Sequence, residues 1–441
     1  MTGRDTIFAL SSGAGRAAIA VLRISGPGAL SIVATLAGSC PPPRHFAART
    51  LRSPDRGDAI DKAGVIWLPG PATATGEDMA EFHIHGSEAV AAYLFRVLSG
   101  FDGVRLAEPG EFTRRGFING KLDLVEAEGL SDLLAARTEA QRRQAMQQFL
   151  GGSSAIIETW RNRLITSLAA VDAVVEFSEE GDVAGVADQA WRNDARVLID
   201  DMQRAVTRAG RAESLRRGLR VVFAGAPNTG KSSLLNALAQ RDVAIVSPLA
   251  GTTRDSIEVL LDLDGVPVVL TDTAGLRDSA SDDIERQGMA RTRRFADEAD
   301  LVVWLWSRDV ARSDVVAEGV RPDIVVETKS DLAPGPTDGR ESNRISTLSG
   351  EGMADFVDHL SAFVKSRVGL GEAAVIVRER QIQAVEESIR FLNDALSQPT
   401  GALELVSADL RAAATALARL TGRIDVEDWL DDIFSRFCIG K

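Results

Sequence analysis

The chain is 441 residues long, which at roughly 150 residues per domain predicts about three domains. Hydrophobic residues make up 45% and charged residues 26%, the balance of a soluble globular protein and not of a collagen-like, disulfide-stapled or disordered one. A net charge of −13 excludes a general polyanion binder, and only two cysteines, Cys40 and Cys438, exclude a disulfide framework and fit a reducing cytoplasm.

No run reaches the roughly eighteen apolar residues needed to span a bilayer. The early apolar run Ala17–Leu22 is closed by Arg23, too short for a signal-peptide core. The expected location is cytoplasmic, with no membrane partner. Up to about residue 118, short apolar or alternating runs at Ala17–Ile24, Gly64–Leu68 and Met79–Ile84 predict strands, and Ala89–Leu98 predicts a helix. That mixture implies a small α+β domain. From residue 119 the texture turns helical. Leu122, Val125, Leu130, Leu133 and Leu134 share one face, and Trp160, Leu164, Leu168, Val171 and Val175 share another, with Gly151-Gly152 between the two helices. A third stripe, Ile382, Val385, Ile389, Leu392 and Leu396, ends at Pro399. All three are read as core packing in an all-α bundle.

Between these helical stretches, Leu219–Gly225, Val266–Asp272, Leu301–Trp306 and Asp323–Thr328 predict buried strands separated by polar or helical spans. Such alternation implies a mainly parallel α/β sheet. The expected organisation is an α+β domain over 1–118, a helical domain over 119–212 and 371–441, and a P-loop α/β domain over 213–370 inserted into it.

Gly225-Ala-Pro-Asn-Thr-Gly-Lys-Ser232 has the P-loop spacing directly after a strand and before a helix. Its backbone N–H groups, with the following helix N-terminus, suit phosphate oxygens. Lys231 is placed to reach the β- and γ-phosphates, and Ser232 to ligate Mg²⁺. Thr253, in Gly251-Thr-Thr-Arg-Asp255, supplies the second Mg²⁺ ligand. Asp272-Thr-Ala-Gly275 offers a carboxylate for the metal's water shell and an N–H that senses the γ-phosphate. Thr328-Lys-Ser-Asp331 ends a strand, where Asp331 accepts from guanine N1 and N2, donors that adenine lacks; Ser346-Thr-Leu348 places an N–H at guanine O6. The nucleotide-binding residues these motifs supply are Asn228, Thr229, Gly230, Lys231, Ser232 and Ser233; Gly251, Thr252 and Thr253; Asp272, Thr273, Ala274 and Gly275; Thr328, Lys329, Ser330 and Asp331; and Ser346, Thr347 and Leu348, to which the family resemblance stated next adds Ser247, Pro248, Leu249 and Ala250. Leu276 stands where Ras-like enzymes carry a water-orienting glutamine. Asn228 offers a carbonyl oxygen suited to a monovalent cation, or simply a loop hydrogen bond.

With Leu22–Gly26, Gly76–Glu81, His85-Gly86, Pro109–Leu124 and the terminal Cys438-Ile-Gly-Lys441 added to these motifs, the chain resembles the MnmE (TrmE) family of tRNA-uridine modification GTPases along its whole length. The resemblance implies a tetrahydrofolate-binding, dimer-forming N-terminal domain and an FAD-dependent partner of the MnmG (GidA) kind. It implies a carboxymethylaminomethyl or aminomethyl group added at C5 of the wobble uridine of certain tRNAs, with carbon from a 5,10-methylene or 5-formyl tetrahydrofolate. Residue by residue it assigns Arg23, Glu81, Lys121 and Lys441 to folate. It assigns Asn228, Ser247, Leu249 and Thr252 to K⁺, which would stand in for an arginine finger. The same resemblance matches Glu285 to the family's water-orienting glutamate, with Lys231, Asp272 and Cys438 expected as the other catalytic groups.

Two departures stand out. Thr328 replaces the family's asparagine and Ser346-Thr-Leu348 its S-A-x, so the bracing hydrogen bonds of the Asn amide are expected to be lost, at about 1 kcal/mol or more of nucleotide affinity. Cys438 reads as a nucleophile or proton-transfer group beside Lys441, or as packing beside Phe434 and Phe437. His83 and His85 alternate as on one strand face but lack a third metal ligand, and are expected to support the folate domain. A nucleotide-switched RNA-binding module of the Era or Der kind is the competing reading. It requires a basic RNA-binding region that this acidic chain does not display.

Overall fold

The structure is a computed structural model describing residues 5–13, 15–176, 183–241, 243–244, 258–272, 297–310, 321–332, 343–368, 374–399, 401–424, 427–435 and 437–441. Its contacts divide the chain into two compact units, Met1–Ser131 with Gln148–Glu176 and Pro399–Lys441, and Asp132–Gln147 with Phe177–Gln398. The helical stretches are thereby shared between the units.

The first unit begins with β1 (Thr6–Leu10), β2 (Ala17–Ser25), α1 (Ala29–Ala37), β3 (Ala47–Arg52), β4 (Ala59–Leu68), β5 (Met79–Gly86), α2 (Glu88–Leu98), β6 (Val104–Leu106) and α3 (Glu111–Ile118). The strands form one sheet in the order β3-β4-β5-β2-β1-β6, antiparallel except where β6 pairs with β1. The three predicted strands fall within β2, β4 and β5. Period-two alternation sends Phe8, Leu22, Ile24, Val65, Phe82 and Ile84 to one face, where Ile32, Val33 and Leu36 of α1 and Leu94 and Leu98 of α2 cover them. Each such side chain contributes about 1.5–3 kcal/mol on burial. The opposite face carries Ile7 and Ala9, packed with Ala107 and Phe112. In the same unit, helix Gly152–Glu176 packs against helix Leu403–Leu420, burying Trp160, Leu164 and Val171 as the stripe predicts. Leu430, Ile433, Phe434 and Phe437 of the final segment close over Leu124 and Ala127.

In the second unit, helix Val183–Arg217 packs against helix Glu379–Ser397. The buried line of the latter is Gln381, Val385, Ser388, Leu392 and Ala395. Ile382 and Ile389 sit at its margin, so the apolar stripe is offset from the true contact. Helix Glu139–Phe149 was not foreseen, and Gly151-Gly152 therefore follows this helix instead of dividing the two predicted ones. Its sequence has no apolar stripe. It is held by polar bonds to the end of the long helix, with Gln141 Nε2 donating to Arg216 O at 2.9 Å and Gln144 Nε2 to Ala212 O at 3.0 Å.

The nucleotide domain's sheet comprises β7 (Leu219–Gly225), β8 (Glu258–Leu263), β9 (Val266–Asp272), β10 (Leu301–Trp306), β11 (Ile324–Glu327) and β12 (Asn343–Arg344), in the order β12-β11-β10-β7-β9-β8. Only β8, at an edge, runs antiparallel. Val221, Phe223, Leu270, Val303, Leu305 and Val326 form its core. Ligands of such sheets bind outside the carboxyl ends of the strands, and the central β7 there opens into the glycine loop.

Candidate nucleotide and folate sites

The glycine loop is made by close packing as much as by composition. Gly225 has φ +149°, and a Cβ there would stand 2.2 Å from Leu305 O on β10. Asn228 and Gly230 take left-handed backbone conformations, φ 63° and 86°. Left-handed residues in such a loop turn successive N–H groups toward one concavity, the arrangement that receives phosphate oxygens. Helix Lys231–Ala239 starts at the end of this loop. Lys231 is buried, and its Nζ donates to Gly225 O at 3.1 Å and Ala226 O at 2.8 Å, holding the ammonium over the loop. Ser232, in the first turn, is the one predicted Mg²⁺ ligand among the described residues. A hydroxyl beside phosphate oxygens is the donor type that a hard cation takes.

The loop predicted to recognise guanine leaves the end of β11. Thr328 is buried, and its hydroxyl donates to Thr229 O at 2.7 Å, with Trp306 O at 3.1 Å. The expected loss of bracing at this position is therefore made good in part: one hydroxyl ties the guanine loop to the phosphate loop. Ser346 Oγ donates to Asp331 Oδ1 at 2.5 Å and accepts from the N–H groups of Leu348 and Ser349 at 3.2 and 3.1 Å. One serine thus orients the carboxylate meant for guanine and shapes the loop meant for its carbonyl. Lys329 Nζ reaches Asp309 Oδ2 at 2.7 Å, and this ammonium holds the Asp309 carboxyl below its usual range. A residue that sequence reasoning missed supports the loop from beneath. Glu327, 3% exposed, is held by Arg308 Nε at 2.7 Å and Arg344 Nε at 3.3 Å.

Asp272 ends β9 as predicted. Ser247, Pro248, Leu249, Ala250, Gly251, Thr252, Thr253, Thr273, Ala274, Gly275 and Glu285 lie outside the described residues.

In the first unit, β2 and β5 pair so that Arg23 stands opposite Glu81. Arg23 Nε and Nη2 each lie 3.0 Å from Glu81 Oε1, and the guanidinium lies over the Phe112 ring at 5.9 Å. Two predicted folate residues 58 positions apart are thereby in direct contact. Lys121 is exposed beside Gly76, where an added Cβ would fall 3.0 Å from its Cε. The C-terminal tail reaches the same domain. Ile439 bridges Pro109, Gly110 N donates to Cys438 O, and Ser11 Oγ donates to Gly440 O at 2.9 Å. Cys438 is exposed while Phe434 and Phe437 are buried, so its side chain is not the packing element its neighbours are. Lys441 N closes a turn onto Cys438 O at 3.3 Å.

A charged cluster anchors α3. Arg115 bonds Asp5, Glu77 and Glu111, and Arg105 bonds Asp5 and Glu111. Burial alone would raise the Glu111 carboxyl, yet Arg105, the Glu108 N–H and Arg115 carry it below its ordinary 4.5. Among the described residues no group of three or more His, Cys, Asp or Glu could hold a metal ion. His85 Nδ1 instead pairs with Asp61 Oδ1 at 2.7 Å.

Residues 124–438 match the MnmE helical domain, and residues 6–121 match the family described as GTP-binding protein TrmE N-terminus. The chain belongs to the MnmE family. Curated relatives agree along the whole length. The tRNA modification GTPase MnmE of Methylobacterium sp. (strain 4-46) is 51% identical over 99% of this chain and 100% of its own. That of Rhodopseudomonas palustris (strain ATCC BAA-98 / CGA009) is 50% identical over 99% of each chain. The P-loop spacing and the largely parallel sheet described above belong to the GTPase part of this MnmE chain.

Proposed function

We propose that this chain is a K⁺-stimulated GTPase which, with an FAD-carrying partner of the MnmG type, modifies C5 of the wobble uridine of certain tRNAs in the cytoplasm. The observation that best supports the reading is the seating of the Cys438–Lys441 tail on the N-terminal domain. That tail meets Pro109–Gly110, at the start of the helix whose Phe112 lies under Arg23. A thiol and an arginine–carboxylate pair suited to a folate then belong to one unit. The folate, as a 5,10-methylene or 5-formyl derivative, supplies the one-carbon unit when bound. Arg23, Lys121 and Lys441 would hold its carboxylates, and Glu81 would accept from the pterin's amino group and ring N–H. Cys438 would act on the transferred carbon.

In the GTPase part, Lys231 and the loop N–H groups would hold the β- and γ-phosphates, with Ser232 and Thr253 on Mg²⁺. Asn228 would join Ser247, Leu249 and Thr252 on K⁺, which would stand in for an arginine finger by supplying positive charge at the phosphates. Glu285 and Asp272 would orient the attacking water and the metal's shell. The proposed organisation is a homodimer joined through N-terminal domains at 1–118, with helical segments 119–212 and 371–441 around a G domain at 213–370.

GTP hydrolysis compared in K⁺ and in Na⁺ at equal ionic strength tests the cation. A K⁺ rate higher by about a hundredfold is expected from the loss of one transition-state charge partner. Equal rates in the two salts would overturn that part of the proposal.

A further inference from the structure

The net charge of −13 conceals an uneven distribution. Residues 6–54 contain no aspartate and no glutamate, although one residue in seven of the whole chain is acidic. The same stretch carries five arginines, Arg16, Arg23, Arg44, Arg49 and Arg52. Charge asymmetry of this kind points to a polyanion partner for one part of an otherwise acidic chain.

The fold gathers much of that charge on one edge. β3 is the outermost strand of its sheet, so one side of its backbone has no strand beside it. Arg44 precedes the strand, Arg49 and Arg52 lie within it, and Arg56 and Lys62 follow in the turn and on β4. Arg49 is half-buried and Arg52 exposed, on opposite faces of the strand. The arginines here bond to backbone carbonyls. Arg44 Nη2 donates to Ala72 O at 2.6 Å, Arg49 Nη1 to Ala48 O at 3.0 Å and Arg52 Nη1 to Gly57 O at 3.0 Å. A carbonyl orients a guanidinium without cancelling its charge. Among the described residues no carboxylate pairs with any of the five cations, whereas Arg105, Arg115 and Arg142 each sit on one. The hairpin's own carboxylates are three, Asp55, Asp58 and Asp61, and Asp61 is occupied by His85. Beside these cations Phe46 is 61% exposed.

A charged edge also keeps a sheet from pairing with another copy. Either sign of charge serves that purpose. A stretch with arginines alone, beside an exposed aromatic ring, fits a nucleic-acid strand better, since cations track phosphates and a ring stacks on an unpaired base.

We propose that the β3 edge, with Arg56 and Lys62 of the adjoining hairpin, is a docking surface for single-stranded RNA, and that Phe46 stacks on one of its bases. The surface is a strand edge and not a separate RNA-binding module. This rests on the tRNA reading above, in which the RNA is an anticodon loop. RNA held here would lie on the sheet that carries the proposed one-carbon site.

The test is fluorescence anisotropy of a labelled anticodon stem-loop RNA with uridine at the wobble position, titrated with the full chain at several KCl concentrations. Each phosphate contact to a single strand contributes about 0.7 to the slope of log affinity against log salt. Arg49→Gln with Arg52→Gln is therefore expected to lower that slope by about 1.4, and to weaken binding about 25-fold at roughly 0.1 M salt. Arg49→Glu with Arg52→Glu is expected to weaken it further, while Arg52→Lys stays within about twofold of wild type. Phe46→Ala is expected to bind at least about fivefold more weakly with the slope unchanged, because stacking releases no counterions. Circular dichroism and an unchanged rate of GTP hydrolysis report folding. If the Arg49 variants fail to fold, Arg56→Gln with Lys62→Gln, both exposed, carries the same expected change in slope. Equal affinity and slope in wild type and the glutamine variants overturn the proposal. So does wild-type binding by the glutamate variant with self-association of the glutamine one in sedimentation, which leaves the charges only an edge-protecting role. Nucleoside mass spectrometry separates the proposal from the reading beneath it. Cells lacking the chain and restored with Arg49→Gln and Arg52→Gln are expected to show less 5-substituted wobble uridine than cells restored with wild type. Full restoration overturns the RNA surface and leaves the modification reading intact, whereas a profile unchanged by the deletion itself removes that reading.

Discussion

Replacing Thr328 with valine removes one hydroxyl and little else, because the two side chains have nearly the same shape. In the folded chain that hydroxyl donates to Thr229 O at 2.7 Å, in a position 3% exposed. Trp306 O keeps the Thr328 N–H as a donor at 2.8 Å, so the carbonyl that loses its bond is the one in the phosphate loop. A buried acceptor stripped of its partner costs about 1–3 kcal/mol. The bond joins the loop for guanine to the loop for phosphate, so part of this cost falls on nucleotide binding. About 1.4 kcal/mol of it would weaken GDP tenfold. The assay is titration with a fluorescent GDP, with the dissociation rate measured separately. Thr328→Val is expected to bind about tenfold more weakly, Thr328→Ser to stay near wild type, and Thr328→Asn to match or exceed it. A folded Thr328→Val chain that binds GDP within twofold of wild type would refute the bracing role.

Ser346→Ala should free the Asp331 carboxylate and the Leu348 and Ser349 N–H groups together, lowering GDP affinity by at least about tenfold, as nucleotide titration would reveal. Glu111 has a depressed carboxyl, so its stabilisation is present above pH 4.5 and is lost as pH falls through its lower folded value. Thermal melts of wild type and Glu111→Gln should therefore differ most near neutrality and converge as the pH falls below 4.5; a constant gap would contradict the assignment. Replacing Asp272 or Glu285 should abolish GTP-driven modification and leave folate binding intact, and equilibrium dialysis showing folate loss in either variant would count against separable sites.

What the sequence made legible was local chemistry with a fixed spacing. The glycine loop could be placed because strand, turn and helix follow without a break from Leu219 to Ala239, and the Thr328–Asp331 loop because it ends a strand. The edge strand Glu258–Leu263 and the helix Glu139–Phe149 escaped notice for different reasons. One is a six-residue run, EVLLDL, whose three adjacent apolar residues between Glu258 and Asp262 break any period-two alternation, and the other owes its place to glutamine side chains bonded to backbone carbonyls, a contact with no periodic signal. In the N-terminal domain, residue types alone did not bring Arg23 to Glu81. Pairing of β2 with β5 did so, and such a register is a property of the whole sheet. His83 was visible as a same-face neighbour of Glu81's strand, but its contact with Phe46 depends on Gly64 being bare, and nothing local to residue 46 announces that. Thr328 offers the reverse lesson. As a departure from the family's asparagine it read as a loss, while the folded backbone brings Thr229 O within reach of the smaller side chain.

The measurement that bears most directly on the account is nucleoside mass spectrometry of tRNA from cells lacking this chain, restored with wild type or with Cys438→Ser. The 5-substituted wobble uridines are expected to disappear on deletion, return with wild type, and not return with Cys438→Ser. An unchanged nucleoside profile on deletion would contradict a role in tRNA modification, and full return with Cys438→Ser would contradict a chemical role for the exposed thiol.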